Sequence, residues 1–214
     1  MMDWDAFLLL VVGLYAAVKT SQLAYRTQNF KHLSYASAIL FFSMGQGGIL
    51  LNTILSGYDM TIEMPLFIEF TSVIAVSLAL CGLAVFIRES KPVFAQFPLI
   101  YAAVPLLLIL SYWFVRDSFA IKAWLLSIYE GGALLVALMM YGTRSYRSAE
   151  IVHFKYMLAA TLLFLVTYIL YWFVPGMSSD YSWVWQLVLG AGVMTTALAS
   201  RFNIKHIATP EMEY

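Results

Sequence analysis

Seven long apolar runs, separated by short polar joints, account for most of the chain. They are Asp5–Tyr25, Ser34–Leu55, Pro65–Ile87, Val93–Phe114, Phe119–Tyr141, Val152–Val174 and Trp183–Ser200. A helix needs roughly 20 residues to cross a hydrocarbon core, and each run is near or above that length. The apolar residues are continuous and do not alternate in strands of about 10 residues, which argues for helices over a β-barrel. The pattern predicts an all-α membrane protein, a seven-transmembrane-helix bundle forming one domain over residues 1–214.

Composition strengthens the prediction. Of the 214 residues 62% are hydrophobic and 11% are charged, whereas a soluble domain carries about 25% charged residues. The start of the chain, Met1-Met2-Asp3-Trp4-Asp5, is acidic and lacks the basic region of a secretory signal, so the first helix is expected to stay in place. Cys81 is the only cysteine, which leaves no intrachain disulfide and no cysteine-based metal site. A formal net charge of zero argues against a nucleic-acid partner.

The charges also set an orientation. Following the runs in order, Lys19, Arg26, Lys31, Arg88, Lys91, Arg144, Arg147, Lys155, Arg201 and Lys205 fall on one side, and Arg116 and Lys122 on the other. The positive-inside rule then puts the N-terminus outside and the C-terminus in the cytoplasm, and the chain is expected to be a multi-pass protein of a plasma (inner) membrane. Asp3, Asp5, Asp59, Glu63, Asp117 and Asp180 lie on the outer side, as do Trp4, Trp113, Trp124, Trp172, Trp183 and Trp185. Tyr25, Tyr35, Tyr141, Tyr146 and Tyr156 sit near the inner ends, as interfacial aromatic belts would have it.

Within this apolar frame one polar stretch stands out, Ser127-Ile128-Tyr129-Glu130-Gly131-Gly132-Ala133-Leu134-Leu135. It sets Glu130 about halfway along the fifth run. An ionisable side chain at that depth is expensive and is by default a candidate functional group. Ser43-Met44-Gly45-Gln46-Gly47-Gly48-Ile49-Leu50-Leu51 in the second run reads nearly the same with Gln46 in place of the acid. At helical spacing Ser127 shares a face with Glu130, and Ser43 with Gln46. These four are the candidate ion- or solute-binding residues. The simpler reading is a buried polar tie between closely packed helices. Glu69, Asn52, Gln186 and Tyr171 fall at a comparable outer depth and are weaker candidates for a vestibule; a solvated rim explains them as well. Pro98 and Pro105, seven apart, are expected to kink the fourth helix, and Gly190, Gly192, Thr196 and Ser200 to form a packing seam on the seventh.

Aligning Gln46 with Glu130 sets an offset of 84, which also lays Phe67-Ile68-Glu69-Phe70 on Ile151-Val152-His153-Phe154. Near that offset Tyr15-Ala16-Ala17-Val18 matches Tyr101-Ala102-Ala103-Val104. Helices three apart run in opposite directions, so these matches suggest an inverted 3+3 repeat, with halves 1–90 and 91–175 and an extra helix over 183–201.

Several chemistries find no support. His32, His153 and His206 all lie toward the inner edge, with no pair placed to ligate haem. No lysine is central in the seventh run, no Ser–His pair suggests intramembrane proteolysis, and no HExxH or P-loop motif occurs. No cofactor, metal or catalytic nucleophile is nominated, and an enzyme is the less favoured class. A Gly-Gly pair in each of the second and fifth helices, Gly47-Gly48 and Gly131-Gly132, is similar to the trimeric intracellular cation channel family, which has an inverted 3+3+1 plan. The motifs there continue with an Arg-Asp pair, whereas here they continue with Ile49-Leu50-Leu51-Asn52 and Ala133-Leu134-Leu135, and no function is carried over. The seven-helix, N-outside plan also resembles the membrane sensor modules that precede bacterial histidine kinases.

Two functions therefore stand side by side. One is a small permease or channel for a proton, cation or small polar solute, with Glu130 and Gln46 facing each other near the midplane. The other is a non-catalytic sensor or assembly subunit that binds lipid, a membrane-protein partner or a second copy of itself.

Overall fold

A stretch of chain in hydrocarbon has no water to bond its backbone, so each apolar run must close its own hydrogen bonds, and the helix does this. The computed structural model describes residues 4–56, 64–90, 98–115, 119–147, 151–175 and 181–208. They form α1 (Trp4–Thr27), α2 (Phe30–Ser56), α3 (Met64–Ser90), α4 (Pro98–Phe114), α5 (Phe119–Arg147), α6 (Ile151–Phe173) and α7 (Ser182–Ala208). Six of these are long and apolar enough to cross a membrane. The seventh expected span is α4, which has 17 described residues; residues 93–97 of its apolar run lie outside the described ones. So do Asp3, Asp59, Glu63, Lys91, Arg116, Asp117 and Asp180 among the charges that set the orientation.

The end of the bundle at which α1, α3, α5 and α7 begin is called the upper end here, and the opposite end the lower. Consecutive helices pack side by side from α1 to α3, and α5, α6 and α7 do likewise before α7 returns to α1. α3 meets α5 lightly, and α4 lies against α3 with a slight contact to α5. Without a hydrophobic drive between helices in lipid, close approach depends on small residues and polar ties. Ser43 of α2 is fully buried and donates to the Ile39 carbonyl at 2.8 Å. It lies where a Cβ on Gly13 of α1 would be. Thr20 and Ser200, both buried, join α1 to α7 at 3.3 Å.

The expected seam on α7 serves two neighbours. Gly190 packs against Leu8 and Leu9 of α1, whereas a Cβ on Gly192 would come within 2.6 Å of the Phe164 ring on α6. Of the two prolines expected to kink α4, Pro105 lies inside the helix and Pro98 is its first described residue. At the lower end the turn from α1 to α2 takes two residues. Gln28 adopts a left-handed φ of 50°, and the Asn29 side chain caps α2 by accepting the Lys31 N–H at 3.0 Å. Glu89 of α3 then accepts from Asn29 Nδ2 at 2.8 Å and Lys31 Nζ at 2.6 Å, locking α3 to that turn.

Candidate functional site

Ser127, Glu130 and Gly131 share the face of α5 that meets α6. Side chains on a helix lean toward its N-terminus. In an antiparallel pair the leans oppose each other, so Glu130 tips upward and Trp172 of α6 tips downward. They meet: Trp172 Nε1 donates to Glu130 Oε2 at 3.1 Å. Beside them Tyr168 donates its hydroxyl to the Ser127 carbonyl at 3.1 Å and lies 3.0 Å from Ser127 Oγ. A Cβ on Gly131 would sit 2.7 Å from the Tyr168 hydroxyl, so the glycine is what lets that ring in.

This pairing sets Glu130 against the end of α6. Counted along α5 it is central, but Trp172 belongs to the last turn of α6, one residue from Phe173. The carboxylate therefore reaches toward the upper end. The aromatic neighbourhood continues there. Tyr171 stands edge-on to Trp172, with ring centres 5.0 Å apart, and to Trp185 of α7 at 5.2 Å. Trp185 Nε1 is buried with no hydrogen-bond partner among the described residues.

Gln46 and Glu130 are not brought into contact among the described residues. Gln46 is half-buried on α2, where Gly45 and Gly48 pack on Thr71, Phe67 and Ile68 of α3, and Gly47 on Leu10 of α1. Ser43 is tied into the α1–α2 seam. The two glycine motifs also differ in their surroundings. Gly131 lies against the Tyr168 hydroxyl of α6, whereas its counterpart Gly47 meets the Leu10 side chain of α1.

The four weaker positions do not form one vestibule. Glu69 of α3 accepts from the Tyr112 hydroxyl of α4 and, at 3.0 Å, from Lys122 Nζ of α5. Lys122 also sits 4.7 Å above the Tyr112 ring. This is a three-helix tie, and it commits the α5 lysine to Glu69. Gln186 lines a small cleft with Asp5, Leu8 and Leu187, and its Oε1 is buried without a partner among the described residues. Tyr171 belongs with the tryptophans, and Asn52 is half-buried on α2.

At the lower end the bundle is closed by packing. Leu83, Phe86, Tyr141 and Phe154 form a buried cluster from α3, α5 and α6. Tyr141 donates to the Tyr35 hydroxyl at 3.3 Å. His32 and His153, far apart in sequence, come together with ring centres 6.3 Å apart, and His153 Nδ1 lies 3.0 Å from the Ala199 carbonyl. Among the described residues no group of three His, Cys, Asp or Glu side chains could hold a metal ion.

The sequence pattern assigns Trp172 and Trp185 only to an interfacial belt and does not single out Tyr168. A signal for two of the three exists: counted equally outward from residues 148–150, Glu130 and Tyr168 fall at one level, and Trp172 follows Tyr168 by one turn. No family model, no curated protein and no solved structure matches the chain.

Proposed function

We propose that the chain is a small polytopic permease or channel of an inner membrane, with Glu130 as the group that binds a proton, a cation or a small polar solute. One observation carries the reading: Glu130 belongs to a membrane-length helix, and neither of the two ion pairs among the described residues includes it. A carboxylate in that setting is costly and needs a compensating role. Ser127 and Tyr168 steady the seam beside it, and Gln46 is a further polar side chain in the middle of α2. By the positive-inside argument the upper end faces outward, so solute would reach Glu130 from outside, and the packed lower end would have to part for passage.

Purified protein in liposomes tests this. Flux should occur for at least one member of a panel of protons, alkali cations, amines and small neutral solutes, and Glu130→Gln should cut it at least tenfold. The amide oxygen introduced by that change would still accept from Trp172, so the substitution removes charge and keeps the tie. Flux untouched by Glu130→Gln, or no flux across the panel, would sink the permease reading.

A sensor or assembly subunit is the second reading, favoured by one stripe of α5. Ile128, Leu135 and Met139 are exposed there, and no described atom lies within 4 Å of a Cβ built on Gly132 or Gly142. Under that reading Gly132→Leu with Gly142→Leu abolishes a membrane complex seen by crosslinking, while the monomer stays folded.

A further inference from the structure

We propose that Glu130, Trp172, Tyr171 and Trp185 form a binding site for a small organic ammonium ion at the upper end of α5, α6 and α7. The inference rests on the solute-binding role of Glu130 and narrows the solute to one class. Glu130 is half-buried, and the indole N–H of Trp172 is the single donor the described residues are seen to offer it. Lys122 is eight residues away on the same helix, about 12 Å along the axis, and is held by Glu69 at 3.0 Å. The carboxylate thus keeps a need for positive charge that its own helix does not meet.

The groups around it select the kind of cation. An alkali ion wants several oxygen ligands to replace its water; here the Ser127 and Tyr168 hydroxyls are hydrogen-bonded to each other, and the other neighbours are rings. Tyr171 is edge-on to both Trp172 and Trp185, at interplanar angles of 89° and 70°, so the three rings stand in one row with their planes differently oriented. Aromatic faces attract cations, tryptophan most strongly, and the attraction grows when water is excluded. An ammonium bearing methyl or methylene groups gains from those faces by contact as well as by charge. Tyr171 remains 40% exposed, so the row is not sealed within the bundle. A further polar atom in the row has no assigned use: Trp185 Nε1 is buried and unpaired among the described residues. A buried donor without an acceptor is unfavourable, and an oxygen on the ligand, as in an amino alcohol, would satisfy it.

The test uses the full chain in nanodiscs, with choline as probe and K⁺ at matched ionic strength as comparison, read by tryptophan fluorescence and calorimetry. Choline should bind at least tenfold more tightly than K⁺. Glu130→Gln should weaken choline binding at least tenfold, and Trp185→Phe, which keeps a ring and removes the N–H, by several fold. Choline binding no tighter than that of K⁺ in the unaltered protein overturns the proposal whatever the variants do, and so does tight binding that survives Glu130→Gln. The two readings fail separately: Glu130-dependent flux of protons or K⁺ with no choline binding removes only the ammonium site. Glu130-dependent choline binding with no flux of any solute removes only the permease.

Discussion

Glu130 illustrates how one side chain can be both a tie and a site, and substitutions separate the two. Trp172→Phe removes the donor but keeps the ring, so it tests the tie alone. Interhelical polar pairs in membranes average about 0.6 kcal/mol, and a hydrogen bond to a charged group is worth about 1.5–3 kcal/mol. Trp172→Phe is therefore expected to destabilise the bundle by about 1–2 kcal/mol, measured as a lower midpoint of unfolding in detergent. Glu130→Gln, which keeps an acceptor, should move that midpoint less. The reverse order would mean that the charge itself stabilises the fold, contrary to a carboxylate kept for a ligand. Glu130 and its two glycines could be picked out of the sequence because a polar group within an apolar run is conspicuous. Trp172 was far less conspicuous, because a tryptophan at a helix end is equally at home in the headgroup layer: counting outward from residues 148–150 brings it within a turn of Glu130, but only packing reveals where its N–H points.

At the scale of helices, the strongest constraint is the meeting of Gly13 with Ser43. Ser43 is wholly buried, and a Cβ on Gly13 would clash with its hydroxyl and come within 3.3 Å of its Cβ. Gly13→Ala is expected to force α1 and α2 apart at a cost of about 1–3 kcal/mol, the usual range for overpacking. Adding Ser43→Ala removes the hydroxyl and should restore part of that loss, seen as a double-mutant midpoint above that of Gly13→Ala. No rescue would place the strain elsewhere than in this contact. The burial of Ser43 is thus explained by packing, although its place beside Gln46 makes it a candidate binding residue in the sequence. α4 shows a different balance. Among the described residues it has the shortest span of the seven helices and its main contact is with α3, and the Glu69–Tyr112–Lys122 tie holds its upper end. Those three residues come from three helices, so no spacing in the sequence could have joined them.

For the whole molecule, the charge asymmetry makes a prediction that geometry does not reach. A fluorescent protein fused after Tyr214 should mature in the cytoplasm of a bacterial host, and an alkaline phosphatase fused there should stay inactive. The opposite pair of results would reverse the orientation and put Glu130 nearer the inner face. The sequence by itself determined that the chain is helical, apolar and multi-pass, because every backbone group in hydrocarbon must be bonded within its own helix and a continuous apolar run leaves little alternative. It also determined where the expensive polar residues fall. Tertiary structure decided which helix answers which. It gave Glu130 to Trp172 and not to Gln46, placed Lys122 with Glu69, and gathered His32 and His153. The reason is physical: burial of apolar surface is read along one helix, but the partner of a polar group is set by the relative height and facing of two.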